Sequence, residues 1–174
     1  VGRWLAAVLV GVVLVILPAG LIMTRQPPRP PLTEQADTVL VAKSARRMVL
    51  LKDGRILREY AVSLGREPLG HKQQEGDGRT PEGRYRIDGH NPRSKFHLSL
   101  HISYPAAADT ASAAARGVPP GGDIMIHGLP NGLGWLGSHH LRRDWTQGCI
   151  AVTDDEIEDI WRAVADGTVV EIRP

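Results

Sequence analysis

The chain holds a single cysteine, so an internal disulfide is excluded and the fold must stand without that staple. Aromatic residues are scarce as well: one phenylalanine, four tryptophans and three tyrosines. Aliphatic residues are plentiful enough to build a core in their place. Charge of one sign is missing too, since the formal net charge is +2 over 174 residues. With Arg3, Arg25, Arg29, Glu34 and Asp37 set aside, 18 basic and 17 acidic residues remain. A body so close to neutral has no electrostatic reason to bind nucleic acid. No internal repeat and no second domain is visible.

Charge is absent altogether from Trp4 to Met23, a run of twenty residues. At about 1.5 Å rise per residue it matches a hydrocarbon core of roughly 30 Å. Residues 1–23 are therefore expected to form a transmembrane helix or signal anchor. The alternative is a cleaved signal peptide, with Trp4 to Leu17 as its apolar centre and Arg3 as its positive flank. Either way the body leaves the cytoplasm. Residues 24–37, with four prolines in five positions, predict an extended spacer.

The body, 38–174, reads mostly as strands. Thr38–Ala42 and Arg47–Lys52 are rich in Val and Leu, and Asp53-Gly54 is a two-residue hairpin signal before Arg55–Leu64. Residues 65–83 form a long polar loop, of a length that usually carries function or is mobile. Arg84–Asp88 and His97–Ser103 are further strands, and Ala106–Arg116 is a short helix. Asp123–His127 is a short apolar strand, 128–143 a loop, and 148–152 another strand. The last helix has the sharpest signal. Thr153 and Glu156 make a capping box, and Ile157, Ile160, Trp161 and Val164 have core-facing spacing up to a stop at Gly167. Thr168–Ile172 completes the set.

Cys149 follows Gly148 directly, and His127 ends an apolar run twenty-two residues upstream. A thiol has an ordinary pKa near 8.5, so little of it is thiolate at neutral pH. A histidine within reach raises that fraction and can later protonate a leaving amine. Main-chain N–H groups around Gly148 and Cys149 can meet a developing oxyanion. These parts describe acyl transfer from an amide through a thioester.

The pieces Ile126-His127-Gly128 and Thr146-Gln147-Gly148-Cys149-Ile150, with Thr80-Pro81-Glu82-Gly83 and the hairpin at Lys52-Asp53-Gly54, resemble an L,D-transpeptidase catalytic domain of the YkuD type. The string Asp144-Trp145-Thr146-x-Gly148-Cys149-Ile150-Ala151-Val152-Thr153 is similar to one proteobacterial branch. The resemblance implies a YkuD-like β-sandwich, mainly β with short helices, over residues 38–174. It implies Cys149 as nucleophile, His127 as general base, and Gly128 orienting His127 through its carbonyl. Gln147, Gly148 and Cys149 would supply oxyanion-hole amides, and Trp135, Thr146 and Arg143 are candidate substrate contacts. The partner would be a peptidoglycan tetrapeptide stem, attacked at its third residue with loss of D-alanine. An amine acceptor would complete a 3→3 cross-link. No cofactor or metal is implied, and the catalytic domain would sit in the periplasm, tethered to the inner membrane. Gln147 stands where the family pattern has histidine, and Ala151 where it has a polar residue.

Two other readings use the same residues. Water could resolve the thioester, making a hydrolase on the same scaffold. His127, His139, His140 and Cys149 could be drawn as zinc ligands of a wall-binding module, although their spacing has no chelating signature. Otherwise His139 and His140 read as solvated loop residues and His71 and His90 as loop residues. His97 and His101 share one strand face.

Overall fold

The computed structural model describes residues 30–174, and its body runs Pro31–Pro174. The expected membrane helix, 1–23, and the first part of the spacer lie outside the described residues. Among the described residues no helix is long and apolar enough to cross a membrane. The spacer's far end belongs to the body. Leu32 packs on the core, its backbone N–H donates to Asp159 Oδ1 at 3.2 Å, and the first strand already starts at Ala36.

The eleven elements follow the chain as β1 (Ala36–Ala42), β2 (Arg47–Lys52), β3 (Arg55–Ala61), β4 (Gly83–Ser94), β5 (His97–Ile102), α1 (Ala107–Ala115), β6 (Met125–His127), a 3₁₀ segment (Gly134–Arg142), β7 (Ile150–Ala151), α2 (Asp154–Ala163) and β8 (Val164–Arg173). The expected β-sandwich takes the form of one continuous sheet, in the order β3-β2-β1-β8-β4-β5-β6-β7. It folds over at β4, where Gly83–Arg86 pair with β8 and Ile87–Ser94 pair with β5. Beyond β3, Ser63 exchanges both backbone hydrogen bonds with Ala151, so the far edges meet. A single core lies inside. Val39, Met48, Leu50, Leu64, Ile102 and Ile126 in the sheet are fully buried, as are Ile157 and Ile160 on α2. Each such side chain contributes about 1.5–3 kcal/mol by leaving water.

Local chemistry explains the boundaries. Asp53 and Gly54 have φ of 50° and 76°, the twist that a two-residue turn needs between right-twisted strands. The Thr153–Glu156 capping box opens α2 as expected. Four expectations need correction. The fourth strand runs on to Ser94, although residues 89–94 show no apolar alternation, because β5 supplies its pairing. The last helix stops at Ala163 rather than Gly167, since Val164 is already extended and pairs with Ala36. Gly167, at φ 87°, sits where the β1–β8 register shifts. The stretch 128–143 is partly helical, with its 3₁₀ turns interrupted at Gly137. His90 lies in β4, not a loop, and meets Trp161 edge-on at 4.6 Å, so Trp161 covers the rim of the core while remaining partly exposed.

Candidate active site

Strands β6 and β7 are parallel and in register, Ile126 opposite Ile150 and His127 opposite Ala151. Ile126 and Ile150 are fully buried in the core. Side chains alternate along a strand, so His127 takes the other face, and so does Cys149, one residue before Ile150. Continuing the register by one residue sets Cys149 beside Met125, whose backbone hydrogen bond reaches the sulfur. Two residues along and one strand across is about 8 Å between the Cα atoms of Cys149 and His127.

The turn ahead of β7 is held by one hydroxyl. Thr146 Oγ1 donates to the Cys149 carbonyl at 2.8 Å and accepts the Gly148 N–H at 3.1 Å. Thr146 is buried. It therefore shapes the nucleophile turn, and the Gly148 amide, expected in the oxyanion hole, is engaged by it. Gly148 itself has φ 132°, and a Cβ there would stand 2.6 Å from the Arg79 carbonyl oxygen. Only glycine lets the turn lie so close against the long polar loop.

That loop, 65–83, is pinned rather than free. The Lys43 ammonium is buried and donates to Glu82 Oε1 at 2.8 Å, to the Thr80 carbonyl at 2.9 Å and to the Gly70 carbonyl. Lys72, also buried, donates to Asp77 Oδ1 at 2.8 Å. The Gly65 N–H donates to Thr80 Oγ1 at 3.0 Å. Asp144 ties the motif to the opposite edge, accepting from the Leu64 N–H at 2.9 Å and from Arg46 Nη2 at 2.8 Å.

His127 is buried, with Nδ1 2.7 Å from the Gly128 carbonyl oxygen. A carbonyl only accepts, so Nδ1 carries the proton and Nε2 presents a lone pair in the neutral ring. Phe96 lies against the imidazole at 4.4 Å between centroids, and Trp145 meets it edge-on at 5.8 Å. Burial holds the His127 pKa below its ordinary value against the opposing hydrogen bond to Gly128, and nearby His140 pushes the same way as burial. Burial pushes the Cys149 thiol up, with the Met125 hydrogen bond opposing. Both shifts favour the uncharged forms, thiol and imidazole. The Cys149 S–H points to the Asp123 carbonyl at 3.5 Å. Thiol and imidazole commonly align only once substrate is bound.

The remaining candidates separate. Gln147 and Arg143 are exposed. Trp135 is 77% exposed and stands on the outer side of the 3₁₀ segment. His140 is buried against Ser63, not solvated, while His139 is exposed. His97 bonds Glu158 at 2.9 Å and His101 bonds Asp88 at 2.5 Å, so both are engaged in surface hydrogen bonds. His71 accepts the Glu82 N–H at 2.9 Å. Among the described residues no three His, Cys, Asp or Glu side chains gather as metal ligands. Phe96, Ser63, Lys43 and Asp144 escaped sequence reasoning. Only the position of Asp144 inside the motif string hinted at a role.

A cavity of about 460 Å³ opens on the His127 side, lined in part by Leu129, Leu133, Leu136, His140, Arg142, Arg143 and Trp145. Trp145 is shared between this cavity and the His127 ring.

Known proteins are similar to this chain in sequence and fold. The chain is 28% identical over 116 residues to "Putative L,D-transpeptidase YafK" of Escherichia coli, which covers 66% of this chain and 39% of that protein. It thus spans about two fifths of that relative's length. The helical cell shape determining protein Pgp2 of Campylobacter jejuni is 25% identical, with a TM-score of 0.59 over 81% of this chain and 48% of that one. Bd1075 of Bdellovibrio bacteriovorus, 20% identical, shares the fold with a TM-score of 0.55, over 80% of this chain and 48% of its own. A family model, the YkuD L,D-transpeptidase catalytic domain, matches residues 36–172, and the chain belongs to that family.

Proposed function

We propose that this chain is a cysteine-dependent acyltransferase of peptidoglycan stem peptides. The observation that carries the reading is the position of Cys149, one residue before β7, on the face of the β6–β7 pair that carries His127, with the His127 tautomer held by Gly128. In the first half-reaction Nε2 of His127 takes the thiol proton. The sulfur attacks the carbonyl of the third stem residue, the C–N bond breaks, and His127 returns the proton to the departing D-alanine amine. An amine from a neighbouring stem then attacks the thioester. The C–N bond forms, the C–S bond breaks, and the amine's proton passes through His127 to the sulfur. The product is a 3→3 cross-link.

The oxyanion needs main-chain donors. With the Gly148 N–H committed to Thr146, the amides of Gln147 and Cys149 are assigned that role. The string from Asp144 to Thr153 supports membership of one proteobacterial branch. The apolar run at 4–23 supports tethering to the inner membrane, with the catalytic domain in the periplasm.

Incubating the full chain with tetrapeptide muropeptides and weighing both protein and products tests this. An adduct on Cys149, loss of D-alanine and new dimers are expected. Shortened stems without dimers would replace transfer by hydrolysis. Cys149→Ala and Cys149→Ser should both lose acylation while staying folded, and retained turnover in either would sink the mechanism.

A further inference from the structure

The carbonyl that holds His127 is itself held. It belongs to the Gly128–Leu129 peptide, and at the other end of that unit the Leu129 N–H donates to Asp154 Oδ1 at 2.8 Å. The imidazole lies at the opposite end, with Nδ1 donating to the Gly128 carbonyl at 2.7 Å. Ring, peptide and carboxylate thus form one unbroken chain: Nδ1–H to O=C, then N–H to Oδ1. The C=O and N–H of a trans peptide point in opposite directions and share one conjugated unit, so what pulls on the N–H is felt at the oxygen.

The backbone makes room for this carboxylate. Asp154 is the first residue of α2, set directly after the Thr153 cap, where a negative charge also suits the helix end. A Cβ at Gly128 would stand 2.8 Å from Asp154 Oδ1 and 2.9 Å from Ile157 Cγ2, and one at Gly134 would overlap Asp154 Oδ2. Each carboxylate oxygen therefore lies against a glycine that leaves it space. Leu129 is fully buried, so water does not compete for its N–H.

Resting on the acyl-transfer reading, which makes His127 the base, we infer that Asp154 is a positioning residue for that base and acts on it through the Gly128–Leu129 peptide. The carboxylate draws on the Leu129 N–H and loads negative charge onto the Gly128 oxygen, which then holds the imidazole more firmly. Chained hydrogen bonds strengthen one another by about 10–30% per bond. The Nδ1–H tautomer is thereby fixed, Nε2 is left free for the thiol proton, and the imidazolium formed by proton transfer is stabilised. No bond is made or broken on Asp154. His127 also faces Cys149 ahead of β7 and His140 on the 3₁₀ segment, and Asp154 faces His140 as well. Removing the Asp154 charge makes His140 harder to protonate, and a less charged His140 depresses His127 less. That side effect makes His127 more basic, whereas loss of the relay makes it less basic, so the two act with opposite sign.

The test uses the purified full chain as wild type, Asp154→Ala, Asp154→Asn and Asp155→Asn. Acylation of Cys149 by a tetrapeptide muropeptide is timed by intact mass across the acid and neutral range. The His127 Nδ1–H proton is followed by NMR and assigned by its absence in His127→Ala. Asp154→Ala removes acceptor and charge together. Acylation should slow about tenfold or more, the effect of losing one hydrogen bond to a charged group. Its acid midpoint should move to lower pH, and the Nδ1–H signal should move upfield. Asp154→Asn keeps an acceptor for the Leu129 N–H and should recover most of the rate, with midpoint and signal still displaced in those directions. Asp155, exposed in the same first turn, supplies the control: Asp155→Asn takes an equal charge from the helix end and should match wild type in all three readings. Slower acylation with midpoint and signal unmoved would make Asp154 a structural residue only and overturn the inference, as would unchanged acylation in Asp154→Ala. Should Asp154→Ala fail to fold, Asp154→Asn decides, and an unmoved midpoint and signal there overturn the relay. A wild-type protein that never acylates Cys149 would instead overturn the acyl-transfer reading, and the Nδ1–H signal would still judge the relay.

Discussion

Replacing Thr146 by valine removes one oxygen and almost nothing else. The side chain keeps its volume and branching, and it is 4% exposed, so water cannot take the hydroxyl's place. Two main-chain groups lose their partner: the Gly148 N–H at 3.1 Å and the Cys149 carbonyl at 2.8 Å. Each buried group left unpaired costs about 1–3 kcal/mol, which gives about 2–6 kcal/mol for the pair. For a chain of this size each kcal/mol is worth about 2–4 °C in Tm, so a loss of about 3 kcal/mol lowers Tm by about 6–12 °C. The damage falls on the turn that aims the sulfur, so acylation should suffer more than stability does. Thr146→Ser retains the oxygen and should stay near wild type in both. Thermal unfolding followed by circular dichroism, with Cys149 acylation scored by intact mass below the transition, measures the two effects together. A Thr146→Val protein with unchanged Tm and unchanged acylation would refute the account of the turn.

Three other outcomes follow from the geometry. Lys43→Met strips the shared donor from Glu82 and two carbonyls, and should cost about 3–5 kcal/mol, as breaking a buried ion pair does; denaturant unfolding reads it, and an unchanged midpoint would contradict the pinned loop. Gly148→Ala forces a methyl against the Arg79 carbonyl at a φ of 132°, so acylation should vanish and Tm should fall, both measurable on one preparation. His127 and His140 have pKa values held below the ordinary 6.5 by burial. As pH drops below about 6.5 the unfolded chain binds protons that the folded chain resists, so stability should decline through the acid range. Acylation should fail on the same side, with a midpoint below 6.5, because an imidazolium cannot accept the thiol proton. An acid limb centred above 6.5 would contradict the buried, neutral base.

Local signals carried much of the architecture. Stretches rich in Val and Leu marked β1 and β2, Asp53-Gly54 marked the hairpin between β2 and β3, and Thr153 with Glu156 marked the start of α2 to the residue. These features depend on neighbours in sequence, so a window of ten residues contains the physics. The polar half of β4 does not, because its strand character comes from β5 across the fold. Nor does the end of α2, where pairing of Val164 with Ala36 overrides the glycine three residues on.

The site divides along the same line. Cys149 and His127 stood out by residue type and motif. Lys43 looked like any surface lysine, since its partners Thr80 and Glu82 arrive from 37 and 39 residues away. Trp135 was the tryptophan expected at the site, yet it is Trp145 that reaches the His127 imidazole while Trp135 is largely exposed. Nothing in the sequence around Thr146 announces that its hydroxyl bridges two backbone groups of its own turn.

The strand order has a consequence for how the molecule comes into being. β8 lies between β1 and β4, pairing with one in parallel and the other antiparallel. The meander β1–β3 and the layer β4–β7 gain their shared centre only when β8 inserts between them. Its pairing with β1 joins residues more than a hundred positions apart, which slows folding because the loop must close before contacts repay it. During synthesis the growing polypeptide therefore has two separate open sheet edges until β8, the strand that joins them, has emerged from the ribosome. Until that moment the nascent chain should remain loosely organised and easily unwound.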